Sequence, residues 1–127
     1  MTPIFTETAP KPGGHYSQAI VHGDLVFVAG QLAIDPLTGN KLTGPIEEQT
    51  LHALLNLRAI LQAAGSDTDH VLKTTVFVAD ISLWGKVNQV YSEFFGDHKP
   101  ARSIVPTKEL NYGFLVEIEA IAAKKTS

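Results

Sequence analysis

Charged residues interrupt two apolar segments near the end of the chain. Arg102 lies between Pro100 and Pro106, while Glu117 and Glu119 stand in the apolar run that closes the sequence. A guanidinium group presents a planar fork of donors that matches a carboxylate, and a glutamate beside a bound ligand can orient water or move protons. The same groups could instead form a structural ion pair across neighbouring strands. Spacing alone favours this simpler interpretation.

The other residue types suggest little further chemistry. The five histidines never stand at a metal-binding spacing, so we expect no metal. No glycine-rich phosphate loop is present, and we therefore expect no nucleotide cofactor. The chain has no cysteine and no Gly-x-Ser-x-Gly sequence, which excludes a thiol nucleophile and a serine nucleophile of that type. The sequence predicts a site that works without metal or cofactor.

Size and charge narrow the class of protein. The 127 residues are 44% hydrophobic and predict one domain over residues 1–127. Ten Lys and Arg against 13 Asp and Glu give a net charge of −3, and the cations are scattered, which disfavours nucleic-acid binding. We read no signal peptide and no membrane-spanning stretch. A cytoplasmic protein is expected.

Local patterns predict five strands and two helices after an amino-terminal arm. Residues 1–14 are rich in proline and glycine and are expected to form an arm or loop. Runs of β-branched residues predict strands, whereas apolar residues three and four apart predict helices. The strands are expected over residues 17–21, 24–33, 71–78, 101–105 (or an extended loop) and 114–123. The helices are expected from Pro45 to Gly65 and from Asp80 or Ser82 to Gly96.

The order β-β-α-β-α-β-β predicts an α+β domain, a mixed sheet with two helices on one face. In the last strand, alternation places Glu117 and Glu119 on one face and the apolar Val116 and Ile118 on the other. The first helix is expected to bury one face of leucines. These are Leu51, Leu54, Leu55 and Leu61.

Five short motifs, in order along the chain, resemble signatures of the RidA/YjgF family. The resemblance covers about residues 16–123, essentially the whole domain. The clearest are Gly14-His15-Tyr16-Ser17-Gln18-Ala19, Val28-Ala29-Gly30-Gln31, Lys73-Thr74-Thr75-Val76-Phe77-Val78-Ala79-Asp80 with Val87-Asn88, Pro100-Ala101-Arg102-Ser103, and Val116-Glu117-Ile118-Glu119-Ala120-Ile121-Ala122.

The resemblance implies a chorismate-mutase-like trimer with ligand clefts between subunits. It also implies hydrolysis of reactive 2-imino or enamine acids, such as 2-aminoacrylate, 2-iminopropanoate and 2-iminobutanoate, to 2-oxo acids and ammonia. On this basis Arg102 would hold the substrate carboxylate and Glu117 would position the water. Tyr16 would help to close the cleft, and the backbone of Ile104 would hydrogen-bond the ligand. Glu119 would belong to a structural pair.

Gly30 and Asn88 also match the family, and we expect them to provide close backbone packing and loop support. Three positions depart from its pattern: His15 replaces a proline, Ala29 a serine and Ile104 a cysteine. Alanine removes a hydroxyl that could bind a ligand, and isoleucine is expected to make its part of the cleft bulkier and drier. A shifted substrate preference is the predicted consequence.

Other functions stay open at this point. A non-catalytic module that binds small carboxylates, or a regulatory module, could use the same arginine. Some relatives in the resembled family are described as endoribonucleases or translation inhibitors. The net charge ranks that activity last.

Overall fold

Six strands form one mixed sheet in the computed structural model, which describes residues 1–126. The strands are β1 (Thr2–Ile4), β2 (Ala19–His22), β3 (Leu25–Gln31), β4 (Val71–Val78), β5 (Ala101–Pro106) and β6 (Val116–Ala123). Their order across the sheet is β1-β2-β3-β6-β4-β5, and β4 with β5 is the parallel pair. A parallel pair requires a crossover, which here contains a helix. The predicted α+β domain with a mixed sheet is confirmed.

Two helices cover one face of this sheet. They are α1 (Ile46–Ala63) and α2 (Trp84–Phe95), the second preceded by a short 3₁₀ turn over Ile81–Leu83. Helix α2 is followed by Gly96, whose φ of 63° is readily adopted by glycine. Within residues 1–126, neither helix is long and apolar enough to cross a membrane.

The core lies between the helices and the sheet. Leu54 and Leu61 of α1 are fully buried, as predicted, and Leu55 is partly buried. The prediction for Leu51 is wrong, because 41% of this residue is exposed. It falls outside the buried stripe of α1, which follows a spacing of three and four residues from Ile46.

The amino-terminal segment differs from the expected irregular arm, since its first residues form β1. Thr2 pairs with Val21, and Ile4 pairs with Ala19, at the edge of the sheet. Proline is acceptable at such an edge because its missing N–H breaks no interior ladder. The next stretch is anchored by the buried side chain of Gln18, which accepts a hydrogen bond from the Thr6 N–H at 2.7 Å.

The other face of the sheet carries no helix. Alternation along β3 directs Val26 and Val28 towards the helices and leaves Phe27 on the open face, where 41% of it is exposed. Leu25 on the same face is 38% exposed. The open face of this sheet therefore presents apolar side chains that its own helices do not cover.

Candidate functional site

Glu117 lies on the open face of β6, as the alternation predicts. Its neighbours Val116 and Ile118 are buried beneath the helices, whereas Glu117 is partly buried and pairs with Phe77 of β4. Burial raises the pKa of the Glu117 carboxyl above its ordinary value, and the negative charge of Glu119 raises it further. A carboxyl of this kind exchanges protons closer to neutral pH than a solvated glutamate does.

Gly30 lies directly against Glu117. The pairing of β3 with β6 changes register between Val28 and Gln31, and this bulge places Gly30 beside the carboxyl group. A Cβ atom on Gly30 would lie 2.5 Å from Glu117 Oε2 and 2.9 Å from its Cδ. Only glycine leaves room for the side chain of Glu117 in this position.

Glu117 opens into a cavity of about 360 Å³, which we call the Glu117 cavity. Gly30 and Tyr16 also line it, so the structure brings three of the predicted site residues together. Tyr16 is exposed, and its hydroxyl oxygen accepts a hydrogen bond from the N–H of Gly13 at 3.2 Å. Tyr112 forms another part of the wall.

Arg102 lies outside the Glu117 cavity, where its side chain packs against α2. Its Nη1 donates a hydrogen bond to Asn88 Oδ1 at 3.0 Å. The guanidinium carbon lies 4.5 Å from the ring centroid of Trp84 and 4.7 Å from that of Tyr91. Aromatic faces attract cations at such distances, so two rings and one amide hold the guanidinium. Asn88 thus holds the side chain of Arg102 directly, whereas the loop support expected of it stays a prediction.

Tyr91 is itself fixed beneath Arg102. Its hydroxyl shares a buried hydrogen bond of 2.7 Å with Thr74 Oγ1. Burial raises the pKa of Tyr91, while this hydrogen bond and the charge of Arg102 act in the opposite direction. Arg102, Asn88 and Tyr91 line a cavity of about 380 Å³ that extends towards Pro100. We call it the Arg102 cavity.

The two cavities lie on opposite faces of the sheet. Arg102 is in register with Thr74 of β4, whereas Glu117 is in register with Phe77. Positions three apart on a strand point to opposite sides. One copy of the chain therefore presents an arginine half and a glutamate half of the predicted site, and does not bring them together.

The structure contradicts the alternative of an ion pair between Arg102 and Glu117 or Glu119. Among residues 1–126, salt bridges join His70 with Asp69 and Lys125 with Asp67. The structural pair expected for Glu119 is wrong for the same reason. Strand alternation directs both glutamates to the open face, away from the side on which Arg102 packs.

Ile104 follows Arg102 on β5, at the edge of the sheet. Its side chain is partly buried against the core and lines neither cavity. The expectation that isoleucine makes its part of an intersubunit cleft bulkier and drier stays a prediction. A contact between its backbone and a ligand stays a prediction. Ala29, another of the three departures from the family pattern, does line the Glu117 cavity.

Three aromatic residues escaped the sequence-based selection of site residues. Trp84 and Tyr91 lie within the segment predicted as the second helix, where apolar residues suggest a core face. With Asn88 they share one face at spacings of four and three residues. Tyr112 gave no periodic signal. It lies in a 3₁₀ turn over Asn111–Gly113 with a φ of 61°.

In the described part of the chain, no group of three or more His, Asp or Glu side chains could hold a metal ion.

Comparisons with known proteins agree with this fold and these motifs. The family model described as Endoribonuclease L-PSP matches residues 6–124. A RutC family protein of Pyrococcus horikoshii is 51% identical over 122 residues, which cover 96% of this chain and 97% of that protein. A Rattus norvegicus protein named 2-iminobutanoate/2-iminopropanoate deaminase is 42% identical over 121 residues, which cover 95% of this chain and 88% of that protein.

The crystal structure of Escherichia coli TdcF with bound serine superposes with a TM-score of 0.93 at 35% identity. The match covers 98% of this chain and 100% of that one. The chain therefore belongs to the L-PSP family, also called the RidA/YjgF family, and the resemblance seen in its motifs is confirmed.

Proposed function

We propose that this protein hydrolyses reactive 2-imino acids, and the enamines from which they form, to 2-oxo acids and ammonia. The observation that carries this proposal is the partly buried carboxyl of Glu117, whose pKa is raised, at the wall of a cavity shared with Tyr16 and Gly30. The rat relative that bears the name of such a deaminase supports the reaction class. The serine in the TdcF crystal supports a ligand of amino-acid size.

In the proposed reaction, water adds to the carbon of the protonated imine. The carbon–oxygen bond forms as the π electrons of the C=N bond move to nitrogen, and Glu117 accepts a proton from the water. Glu117 then gives this proton to the amino group. As the C–N bond breaks and ammonia leaves, the hydroxyl oxygen forms the carbonyl and returns its proton to Glu117, which releases it to solvent. A carboxyl with a pKa raised towards neutrality suits these proton transfers, and such acid–base help typically contributes about 10²–10⁴-fold to a rate.

Arg102 would bind the carboxylate of the substrate. Its guanidinium is held by Asn88, Trp84 and Tyr91 before any ligand arrives. Such preorganisation reduces the conformational entropy that is lost on binding. A bidentate contact would also orient the imine carbon.

We further propose that the complete site forms between copies of the chain in a homotrimer, as the resemblance implies. Arg102 and Glu117 lie on opposite faces of one sheet, so a substrate that touches both must bridge two subunits. The exposed Phe27 and Leu25 on the open face would then be covered by neighbouring copies. The expected cytoplasmic location is part of the same proposal.

The test uses 2-aminoacrylate generated in situ by a dehydratase, with ammonia or 2-oxo acid release as the readout. The protein is expected to accelerate hydrolysis, and Arg102→Ala is expected to lose this effect while keeping its oligomeric state. Lys124→Ala serves as a matched control, since Lys124 lies beyond the end of β6 next to Gly65. Equal rates for wild type and Arg102→Ala would overturn the proposal.

A non-catalytic module that binds small carboxylates is the second candidate. It would need only Arg102, whose guanidinium is already held in place by Asn88 and Trp84. It would bind 2-oxo acids and leave the rate of imine hydrolysis unchanged. RNA cleavage, suggested by the description of the family model, ranks last because a net charge of −3 disfavours binding to the phosphate backbone. Cleavage that persisted on purification and disappeared with one point mutation would reverse this ranking.

A further inference from the structure

A third cavity adjoins the Glu117 cavity beside Tyr112. It has a volume of about 320 Å³, and we call it the Tyr112 cavity. The two cavities share four lining residues, which are Pro10, Lys11, Ile34 and Tyr112. A ligand that reaches Glu117 can therefore extend past Tyr112 into this neighbouring space.

Tyr112 is held in place as a dividing wall. Its φ of 61° and ψ of 16° lie in the left-handed region, which a residue other than glycine occupies only when its surroundings enforce it. The Lys41 ammonium nitrogen lies 4.5 Å from the centroid of the Tyr112 ring. The buried ring of Phe114 meets it edge-on, with centroids 6.2 Å apart. Tyr112 and the ammonium of Lys41 are thereby kept at the cavity.

The Tyr112 cavity carries an excess of positive charge. Lys11 and Lys41 both line it, and neither is in a salt bridge within residues 1–126. The carboxylate that lines the same cavity is that of Asp35, whose Oδ1 already accepts a hydrogen bond from the N–H of Leu37 at 2.9 Å. Two cations against one engaged carboxylate would attract an anionic group.

We infer that the Tyr112 cavity receives the side chain of the substrate and selects imino acids that carry a second carboxylate. This inference rests on the proposed function. Arg102 of a neighbouring copy would bind the first carboxylate, and the imine carbon would lie at Glu117. The methylene groups of the side chain would pass along the Tyr112 ring, and the distal carboxylate would meet Lys11 and Lys41.

The experiment compares the imines of glutamate and glutamine, which match in size and differ in the charge of the side chain. An amino-acid oxidase generates each imine, and competition with semicarbazide reports the hydrolysis rate. Wild-type protein is expected to favour the acidic imine in kcat/KM by roughly 3- to 10-fold, as ion pairs with the exposed Lys11 and Lys41 permit. Because exposed charges are screened, the preference should shrink at high ionic strength.

Variants assign this preference to the two lysines. The double substitution Lys11→Gln and Lys41→Gln is expected to bring the ratio of kcat/KM for the two imines close to one. Lys41→Arg in an otherwise native chain should keep most of the preference, since it retains the charge. Lys124→Gln removes a cation that lines neither cavity and should leave the ratio as in wild type.

Calorimetry with 2-oxoglutarate and its side-chain amide measures binding without turnover. Tighter binding of 2-oxoglutarate, reduced by the double lysine variant, would support the inference even if no imine were hydrolysed. Failure to hydrolyse any imine would overturn the proposed function alone. Equal binding of the two oxo acids, or a preference that survives loss of both lysines, would overturn the assignment of the Tyr112 cavity.

Discussion

Glu117 differs from a solvated surface glutamate in two respects. It is partly buried, and it shares the open face of β6 with Glu119, two positions along the strand. Both features favour the protonated form and raise its pKa. Because folding raises the pKa, ionisation of Glu117 costs stability as the pH rises through the folded-state value. In the proposed site, the ionised form of the functional carboxyl therefore lowers the stability of the folded state.

Glu119→Gln tests this coupling through the pH dependence of the reaction. Removing the neighbouring negative charge should lower the pKa of Glu117. Since ionised Glu117 accepts a proton from water in the proposed mechanism, the acidic limb of the kcat/KM profile should move to lower pH. The reduced cost of ionisation should also raise the free energy of unfolding at neutral pH.

Glu93→Gln provides the matched control for Glu119→Gln, because Glu93 is an exposed carboxylate on α2. Its pH profile should coincide with that of wild type. An acidic limb that stays in place in Glu119→Gln, with the oligomeric state preserved, would contradict the coupling of the two glutamates.

Trp84 acts on the proposed reaction through Arg102. Trp84→Ala removes one of the two rings beside the guanidinium, a contact worth about 0.5–1 kcal/mol. We expect KM to rise about 2- to 5-fold with kcat nearly unchanged, because the arginine binds a carboxylate that does not react. Steady-state kinetics measure both parameters, and Trp84→Phe should restore most of the affinity. An unchanged KM in Trp84→Ala would exclude this positioning role.

At the scale of the secondary-structure elements, the bulge in β3 governs the space around Glu117. Gly30→Ala would place a Cβ atom 2.5 Å from Glu117 Oε2, so the carboxyl must move. Displacement of a catalytic group by about 1 Å can cost on the order of 10²-fold in rate. We expect kcat/KM to fall by about that factor while the protein stays folded, as measured by kinetics and thermal unfolding.

Gly85→Ala is the matched control, because a Cβ atom on Gly85 meets nothing within 4 Å. Gly85 lies inside α2, where alanine is expected to stabilise the fold by about 0.5–1 kcal/mol. Wild-type activity in Gly30→Ala would show that Glu117 does not depend on this contact. Loss of activity in both variants would indicate a general sensitivity to alanine.

Local patterns in the sequence predicted most elements of the fold. Strand β4 begins and ends at the expected residues, and alternation in β6 assigned Glu117 to the correct face. The strand at Thr2–Ile4 was missed because a three-residue run beside prolines carries too little periodicity. Leu51 was assigned to the core because leucines at helical spacing do not reveal how wide the buried stripe is.

The candidate site was less predictable because it depends on contacts between distant segments. Which face of the sheet Arg102 occupies follows from its register with Thr74, and no local pattern encodes that register. The rings of Trp84 and Tyr91 looked like core residues for the same reason. The motifs of the resembled family suggested the proposed chemistry, whereas long-range pairing determined which residues share a cavity.

At the scale of the whole molecule, Arg102 and Glu117 are too far apart within one chain to contact the same small ligand. Each copy holds both groups, in cavities on opposite faces of the sheet. In the proposed homotrimer, a head-to-tail ring of identical chains would bring the arginine half of one copy to the glutamate half of the next. Activity should then belong to the assembly, and a folded monomer should be inactive.

Mixed assemblies test whether the site spans two subunits. Arg102→Ala and Glu117→Gln should each be inactive, but co-assembled in equal amounts they should recover about a quarter of wild-type activity. A complete site needs the glutamine variant to supply Arg102 and the alanine variant to supply Glu117, each with a chance of about one half. Differently tagged chains, co-expressed in equal amounts, allow the measurement. Purification through both tags would remove the inactive homotrimers and raise the expected recovery to about a third, because each mixed trimer has one complete site of three. Recovery requires no new contact, only the pairing of two intact halves.

A second mixture distinguishes a shared site from one contained in a single chain. Wild-type chains mixed equally with chains that carry both substitutions should retain about a quarter of the activity if each site needs two wild-type neighbours. A site within one chain would retain about half and would give no recovery in the first mixture. The two arrangements therefore differ in both mixtures. No recovery in the first mixture, together with about half of the activity in the second, would contradict the intersubunit site even if the deaminase reaction itself were established.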